Sequence, residues 1–396
     1  MKLIVSVIAL GALATLGISP VQAQEPLKIG VLVPITGAIA VDGNTMKRGN
    51  ELAAEQINQL GGIKSLNGAK VVLDIADTQS KPDVARSEAD RLVAQGGLSA
   101  LLGAGASGST QPAMQIADRN KIPFVIPNAV ADTLTEQGLK FVFRVASKSK
   151  WYAEDVVSFV EYLKANNVKT DRIALVYEDG VYGQSVSKIY KTLLPERGFT
   201  IVEEVSFRSG LADMTTQVAK LKASEATIVL TAAFAADTAV LLRAMAARDY
   251  KPYTIGIGAG HINPSLLQIG AVAEKTFGAV DWSVGSLQPA AVEFEKAYQA
   301  KYGEAPNSGS AESYVATWAV ALAAEQAKSR DPAAIRDALA SLHITSGPAA
   351  ILPQAVIEFG PDGQNNLRNV IVEIIDGKFV PVWPEKFGAR KFVPAN

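Results

Sequence analysis

From Leu27 onward the chain alternates between short apolar runs rich in β-formers and longer stretches with helical spacing. The runs that read as strands are Lys28–Pro34, Val71–Ala76, Ala100–Gly103, Phe124–Ile126, Ile173–Tyr177, Ile201–Phe207, Thr227–Thr231 and Thr254–Ile257. Between them lie amphipathic helices. In the first, Met46, Gly49, Ala53, Ile57 and Leu60 recur at intervals of three and four, Lys47, Arg48, Glu51 and Glu55 lie opposite, and Gly61-Gly62 marks the end. Regular strand–helix alternation predicts an α/β protein with a largely parallel sheet. The rhythm restarts near Arg172, after a long helix at Trp151–Ala165, which predicts two βα units in tandem. The tail changes character. Helical stretches at Ala290–Lys301 and Ala311–Lys328 and the segment Pro332–Leu342 precede two strand-like runs, Ala355–Phe359 and Val370–Ile375, joined by the turn Gly360-Pro361-Asp362-Gly363. A chain ending in a hairpin after helices predicts that its C-terminus returns to complete an earlier lobe.

A length of 396 residues exceeds one ordinary core and suits two lobes. Charge is balanced, with 38 Lys+Arg against 39 Asp+Glu and no block of one sign, so no nucleic-acid partner is expected. Cysteine is absent, which removes disulfides, thiolate metal sites and thiol nucleophiles together. The two histidines, His261 and His343, are far apart, so a His-based metal site or a Ser-His-Asp triad has at most one of them to build on; no metal site is expected. Before the first strand, Lys2, the apolar stretch Leu3–Leu16 and the small-residue site Val21-Gln22-Ala23 read as a secretory signal peptide spanning 1–23, whose removal leaves Gln24 first. The apolar stretch falls short of the ~20 residues of a spanning helix. No cysteine follows the cleavage site and no later segment is long and apolar enough to span, so the expectation is a periplasmic protein without a membrane anchor.

The most conspicuous motif is Gly103-Ala-Gly105-Ala-Ser-Gly108, between an apolar run and a helix beginning near Thr110. It has the spacing and context of a dinucleotide fingerprint, which makes an NAD-dependent oxidoreductase one reading. It follows two earlier βα units, however, where that fingerprint ordinarily opens the first. The underlying physics is broader: glycines allow close backbone approach, and a helix N-terminus holds any small anion, a carboxylate as readily as a phosphate. Ser107, Ser109 and Thr110 add hydroxyls at the same mouth. Asp74 and Asp77 at a strand end are paired acids in form, but strand ends are commonly polar. His261, in the Gly-rich turn 256–261, either faces a cleft or is a solvated turn residue. No Walker loop, HExxH, GxSxG elbow or EF-hand loop is found in the sequence.

Six segments in order resemble the leucine/isoleucine/valine-binding proteins of ABC importers: 28–37 (KIGVLVPITG), 55–63 (EQINQLGGI), 107–112 (SGSTQP), 176–184 (VYEDGVYGQ), 294–303 (FEKAYQAKYG) and 376–382 (DGKFVPV). The resemblance covers nearly the whole mature chain. It implies a type I periplasmic-binding fold: two doubly wound lobes joined by three crossover segments, lobe 1 from 24–145 plus 280–348 and lobe 2 from 146–279 plus 349–396, with a ligand held between them. It implies a solute-binding component that performs no chemistry, needs no cofactor, acts as a monomer, and delivers a branched-chain or other hydrophobic amino acid to the permease and ATPase subunits of an importer. A ligand-sensing regulator of the same fold is the other use of the architecture, and the export signal and the lack of a basic face weigh against it.

Carried onto this chain, the resemblance places the ligand carboxylate at Ser107, the backbone about Ala106, and the loop Asn128-Ala129-Val130, where Val130 replaces a threonine common among relatives. Tyr182 and Phe234 match the aromatic positions of the second lobe, and Asp42 replaces a tyrosine of the first βα loop. The acidic residue that holds the ammonium group in amino-acid binders has no counterpart in Gly258-Ala259-Gly260-His261. A buried ammonium then needs Asp42 or Asp281, because an unpaired buried charge is costly. The alternative is an aromatic or short-chain carboxylate lacking an amino group.

Overall fold

The apolar runs become strands of two separate sheets. The computed structural model describes residues 25–286 and 288–385 with Arg390, Phe392 and Pro394. The segment 1–23 read as a signal peptide lies outside the described residues. In the first sheet β1 (Leu27–Val33), β2 (Val71–Asp77), β3 (Ala100–Leu102), β4 (Phe124–Ile126) and β5 (Val142–Arg144) pair in the order β2-β1-β3-β4-β5, all parallel. Helices α1 (Ala40–Gln59), α2 (Pro82–Gln95) and α3 (Ser107–Arg119) connect the first four strands, and α4 (Ser149–Ala165) leads into the second unit.

There β6 (Ile173–Glu178), β7 (Ile201–Phe207), β8 (Ile228–Ala232), β9 (Tyr253–Ile257) and β10 (Thr276–Val280) are parallel, connected by α5 (Val181–Glu196), α6 (Thr215–Ala223), α7 (Ala235–Ala247) and the short α8 (Pro264–Leu267). The chain then returns to the first unit with α9 (Pro289–Tyr302), α10 (Ser308–Ala327) and α11 (Pro332–Ala340). It forms a small two-stranded sheet from β11 (His343–Ile344) and β12 (Ile357–Glu358), and ends on β13 (Val370–Ile375) and β14 (Lys378–Trp383) in the second sheet, whose order is β14-β13-β10-β9-β8-β6-β7.

Both sheets are covered on both faces, as near-continuous apolar strands require. One side of the first packs Leu52, Phe294, Tyr314 and Val320 from the α1/α9/α10 layer, and the other packs Leu92, Met114 and Ile116 from α2 and α3. The second sheet carries Val156, Phe159 and Tyr190 on one side and Val218, Leu241 and Leu266 on the other.

Two expectations are corrected. Val370–Ile375 does not form a hairpin with Ala355–Phe359: it pairs antiparallel with β10 and, through the turn at Asp376-Gly377, with β14. The turn 360–363 instead caps the edge of the first sheet, where Arg144 N donates to Gly363 O at 2.8 Å and Asn365 N donates to Arg144 O at 2.9 Å. Gly363 is required there, because a Cβ on it would lie 2.1 Å from Val142 O. The return crossing also comes later than 348, since Ala349, Ile351, Leu352, Ile357, Phe359 and Leu367 all pack into the first unit's core.

Candidate functional site

Between the two units, where loops leave the C-terminal ends of the parallel strands, lies a cavity of about 50 Å³. This is the position that open parallel sheets offer to ligands. Its walls are Gly105–Ser107 after β3, Asn128–Val130 after β4, Tyr182 at the start of α5, Ala233-Phe234 after β8 and Ile257–Gly260 at the end of β9, with Asp42 and Met46 from α1, Tyr152 from α4 and Glu312 from α10. No Lys, Arg or His is among these described lining residues.

The glycine motif is explained by sterics. Gly103 has φ +144°, and a Cβ there would lie 2.5 Å from Leu32 O; Gly105 has φ +84°, and its Cβ would lie 2.9 Å from Pro34 Cδ. Gly108 has room, with nothing nearer than 3.8 Å, so the tight packing that a dinucleotide fingerprint asks of its third glycine is not what selects it. What the turn produces is the N-terminus of α3 at the cavity wall, with Ala106 in extended conformation at the cap and no side chain capping the end. Ser107 is 1% exposed. Its Oγ accepts from Ala131 N at 3.2 Å, which leaves its own hydrogen to donate. Dipole, backbone N–H groups and hydroxyl converge on one spot suited to a carboxylate.

The loop 128–131 is held from behind by Arg144, which is wholly buried. Its guanidinium donates to Ala131 O at 2.7 Å, Ala129 O at 3.3 Å and Thr135 Oγ1 at 3.0 Å, and also to Gln364 Oε1. Burial pulls its pKa down to about 10, so it remains a cation, its charge met by carbonyl dipoles and the neighbouring Asp132. Asn128 spends its side chain on α10: Nδ2 donates to Gly309 O at 3.0 Å and to Glu312 Oε2, and Oδ1 accepts from Ser313 Oγ at 3.2 Å. Val130 contributes an apolar wall and its carbonyl accepts from Ser149 N at 2.8 Å. Opposite, Tyr182 and Phe234 form a tilted aromatic pair with centroids 5.3 Å apart, and the Tyr182 hydroxyl donates to Ile257 O at 3.2 Å.

Asp42 bridges the two units. One carboxyl oxygen accepts from Ala235 N, the first residue of α7, at 3.1 Å, and the other from Asn263 Nδ2 at 3.3 Å. Burial raises its pKa to about 6, and the nearby Asp237 adds to the rise. Close by, Ala38 Cβ would meet a Cβ on Gly210 at 3.1 Å, so the units touch beside this bridge. A second acidic group was not foreseen. Glu312 is buried in the wall with Asp281 beside it; desolvation and the Asp281 charge push its pKa well up, while the Asn128 amide works the other way. Asp281 itself stands behind the wall, Oδ2 accepting from Ser147 N at 3.1 Å and Oδ1 buried without a partner.

His261 is not in the lining. Its ring lies against Gly256, where a Cβ would come within 2.0 Å of it, and Nε2 is hydrogen-bonded to Thr231 Oγ1. Burial lowers its pKa to about 3, so it is a neutral core residue under the turn 258–260. Asp74 pairs with Lys28 at 3.2 Å, and Asp77 accepts from Ile35 N, Thr36 and Gln79 N to shape the β1–α1 loop. Glu312, Tyr152 and Arg144 escaped the sequence reading. The signal for Glu312 is present in hindsight, as the only acid in the buried stretch 308–321 of a helix built from small and apolar residues.

A family model described as periplasmic binding protein matches residues 26–378. The chain is similar to Leu/Ile/Val-binding protein homolog 7 of Brucella abortus, 32% identical over 386 residues and covering 94% of this chain and 95% of that one. Among solved structures it resembles the branched-chain amino acid transporter substrate-binding protein LivJ of Streptococcus pneumoniae in complex with isoleucine, at TM-score 0.78 and 22% identity over 90% of this chain and 98% of that one. It resembles equally a solute-binding protein of an ABC transporter from Rhodopseudomonas palustris in complex with 3,4-dihydroxy benzoic acid, at TM-score 0.78 and 19% identity over 89% and 95%. The two-lobed α/β fold is the one these proteins share.

Proposed function

The chain belongs to the periplasmic binding protein family, and from that premise we propose that it is the extracytoplasmic solute-binding component of an ABC importer, enclosing a branched-chain or other hydrophobic amino acid between two closing lobes. The observation that carries this reading is one cavity whose walls offer three different chemistries. The α3 N-terminus with Ser107 suits a carboxylate, Met46, Val130, Tyr182, Phe234 and Ile257 suit an apolar side chain, and buried carboxyl groups with no lining cation suit an ammonium. The size agrees. Where about 10–15 Å³ holds one water, 50 Å³ corresponds to roughly four, or on the order of 120 Å³ of liquid, the scale of a compact amino acid.

The lobes close by a hinge, and Asp42 reaching Ala235 and Asn263 across the cleft is the contact that closure makes. The lobes we assign are 24–145 with 280 to about 367 and 146–279 with the remainder of the chain, because residues up to Leu367 pack into the first unit's core. Export through the signal peptide places the mature monomer, starting at Gln24, in the periplasm, where the closed form meets a permease and its ATPase. A second reading, an acid lacking an amino group, draws on the turn Gly258–His261, which carries no acid, and on the ligand of the Rhodopseudomonas relative. A thermal-shift panel of neutral amino acids beside aromatic and short-chain acids separates the two, because tight ligands raise the melting temperature by mass action. Stabilisation by amino acids supports the first; stabilisation confined to acids without an amino group replaces it with the second.

A further inference from the structure

In the cavity wall two buried carboxyl groups lie together, with no cation among the described lining residues to neutralise them. Glu312 is 3% exposed and faces the cavity, and Asp281 is fully buried directly behind it. Around them stand Tyr152 from α4, whose buried hydroxyl lines the cavity and makes no hydrogen bond of normal geometry although it lies beside Asp281, and Asn128, whose amide donates to one Glu312 oxygen. Asp281 takes Ser147 N on one oxygen and has no partner on the other. Two adjacent buried carboxylates cannot both be charged unless a cation joins them. The Tyr152 hydroxyl and a protonated Glu312 can each donate toward Asp281, so the group left to receive a cation from the cavity is the cavity-facing Glu312. Asp42, the other acid of the lining, differs in having both oxygens already occupied by Ala235 N and Asn263 across the cleft.

We propose that Glu312, oriented by Asn128, receives the positively charged group of the ligand, taking the place of the acid absent from the turn 258–261. The assignment rests on the reading of this cavity as an amino-acid site. In the empty protein desolvation and the neighbouring Asp281 favour the protonated form of Glu312. When a ligand ammonium arrives, its charge favours the carboxylate, so Glu312 gives up to one proton to solvent and pairs with the cation. The balance is one ammonium bound and up to one proton released, with no other species required. Asn128 is a positioning residue, since its remaining bonds to Gly309 O and from Ser313 anchor it to α10.

The test is calorimetry at pH 7.5 in two buffers of different ionisation enthalpy, on the wild-type protein and Glu312→Gln. The probes are leucine, isoleucine and valine beside 4-methylpentanoate, 3-methylpentanoate and 3-methylbutanoate, which keep each side chain and carboxylate and lack the ammonium. The wild-type protein is expected to release protons on binding the amino acids and none on binding the des-amino acids. In Glu312→Gln, which keeps shape and the hydrogen bond to Asn128, release disappears and amino-acid affinity falls about tenfold or more, the loss typical of a charge-assisted bond, while affinity for the des-amino acids is unchanged. A variant with native melting behaviour and undiminished amino-acid affinity overturns the assignment while leaving the amino-acid reading intact, as does wild-type binding without proton release. Wild-type preference for the des-amino acids overturns both.

Discussion

Asp42→Asn isolates the contact that joins the lobes. In the closed protein the Asp42 carboxyl is buried and its pKa rises from 3.8 to about 6. The difference corresponds to about 3 kcal/mol. The sign follows from linkage: between these values the folded, closed form holds the proton that the unfolded chain has released, so the favourable contribution is complete below 3.8 and is lost as pH rises through about 6. Asparagine is uncharged throughout and can still accept from Ala235 N. The stability of Asp42→Asn relative to the wild-type protein should therefore improve by about 2–3 kcal/mol between pH 4 and pH 7.5, measured by denaturant unfolding of ligand-free protein at several pH values. A flat difference, or one in which the variant loses ground as pH rises, would show that the carboxylate is better accommodated than its burial implies.

Ser107→Ala should weaken amino-acid binding by about 1.5–3 kcal/mol, tenfold or more, and, because Ala131 N loses its buried acceptor, should also lower the melting temperature of the ligand-free protein; equal affinity in calorimetry removes Ser107 from the carboxylate site. Arg144→Met removes the guanidinium donor from Ala129 O, Ala131 O, Thr135 and Gln364 and should lower stability by about 2–4 kcal/mol while loosening the loop 128–131, visible as lost amide protection there in hydrogen exchange. N-terminal sequencing of the exported protein should begin at Gln24; an intact Met1 in a membrane fraction contradicts the export reading.

The central parallel strands were legible where both faces are buried and the residues read as an unbroken apolar run, as in Ile228–Ala232. Strands β5, β10 and β14 were not, being three residues ending in a charge, a run interrupted by Gly278, and one carrying Pro381. The role of the glycine loop could be read only as a choice between anions, because the sterics that demand Gly103 and Gly105 come from Leu32 and Pro34 of another strand's end. Ser107 was accessible as a hydroxyl at a helix mouth just after a strand, which is where open sheets keep their ligands, whereas Asn128 and Tyr182 came only through the resemblance to leucine/isoleucine/valine-binding proteins. Glu312 was not, since it belongs to a helix after the second crossing and meets the cavity only once α10 packs against the first sheet. His261 shows the converse: a Gly-rich turn suggested a cleft residue, yet the missing Cβ of Gly256 makes a socket that draws the ring into the core.

The central claim is that the cavity between the lobes is built for a zwitterion, with a helix N-terminus for its carboxylate and a buried acid for its ammonium. The most direct measurement is mass spectrometry of the small molecule released when protein purified without added ligand is denatured. The account predicts an α-amino acid with an apolar side chain, recovered near one per protein. Recovery of an aromatic or short-chain acid without an amino group, or of a nucleotide, contradicts it.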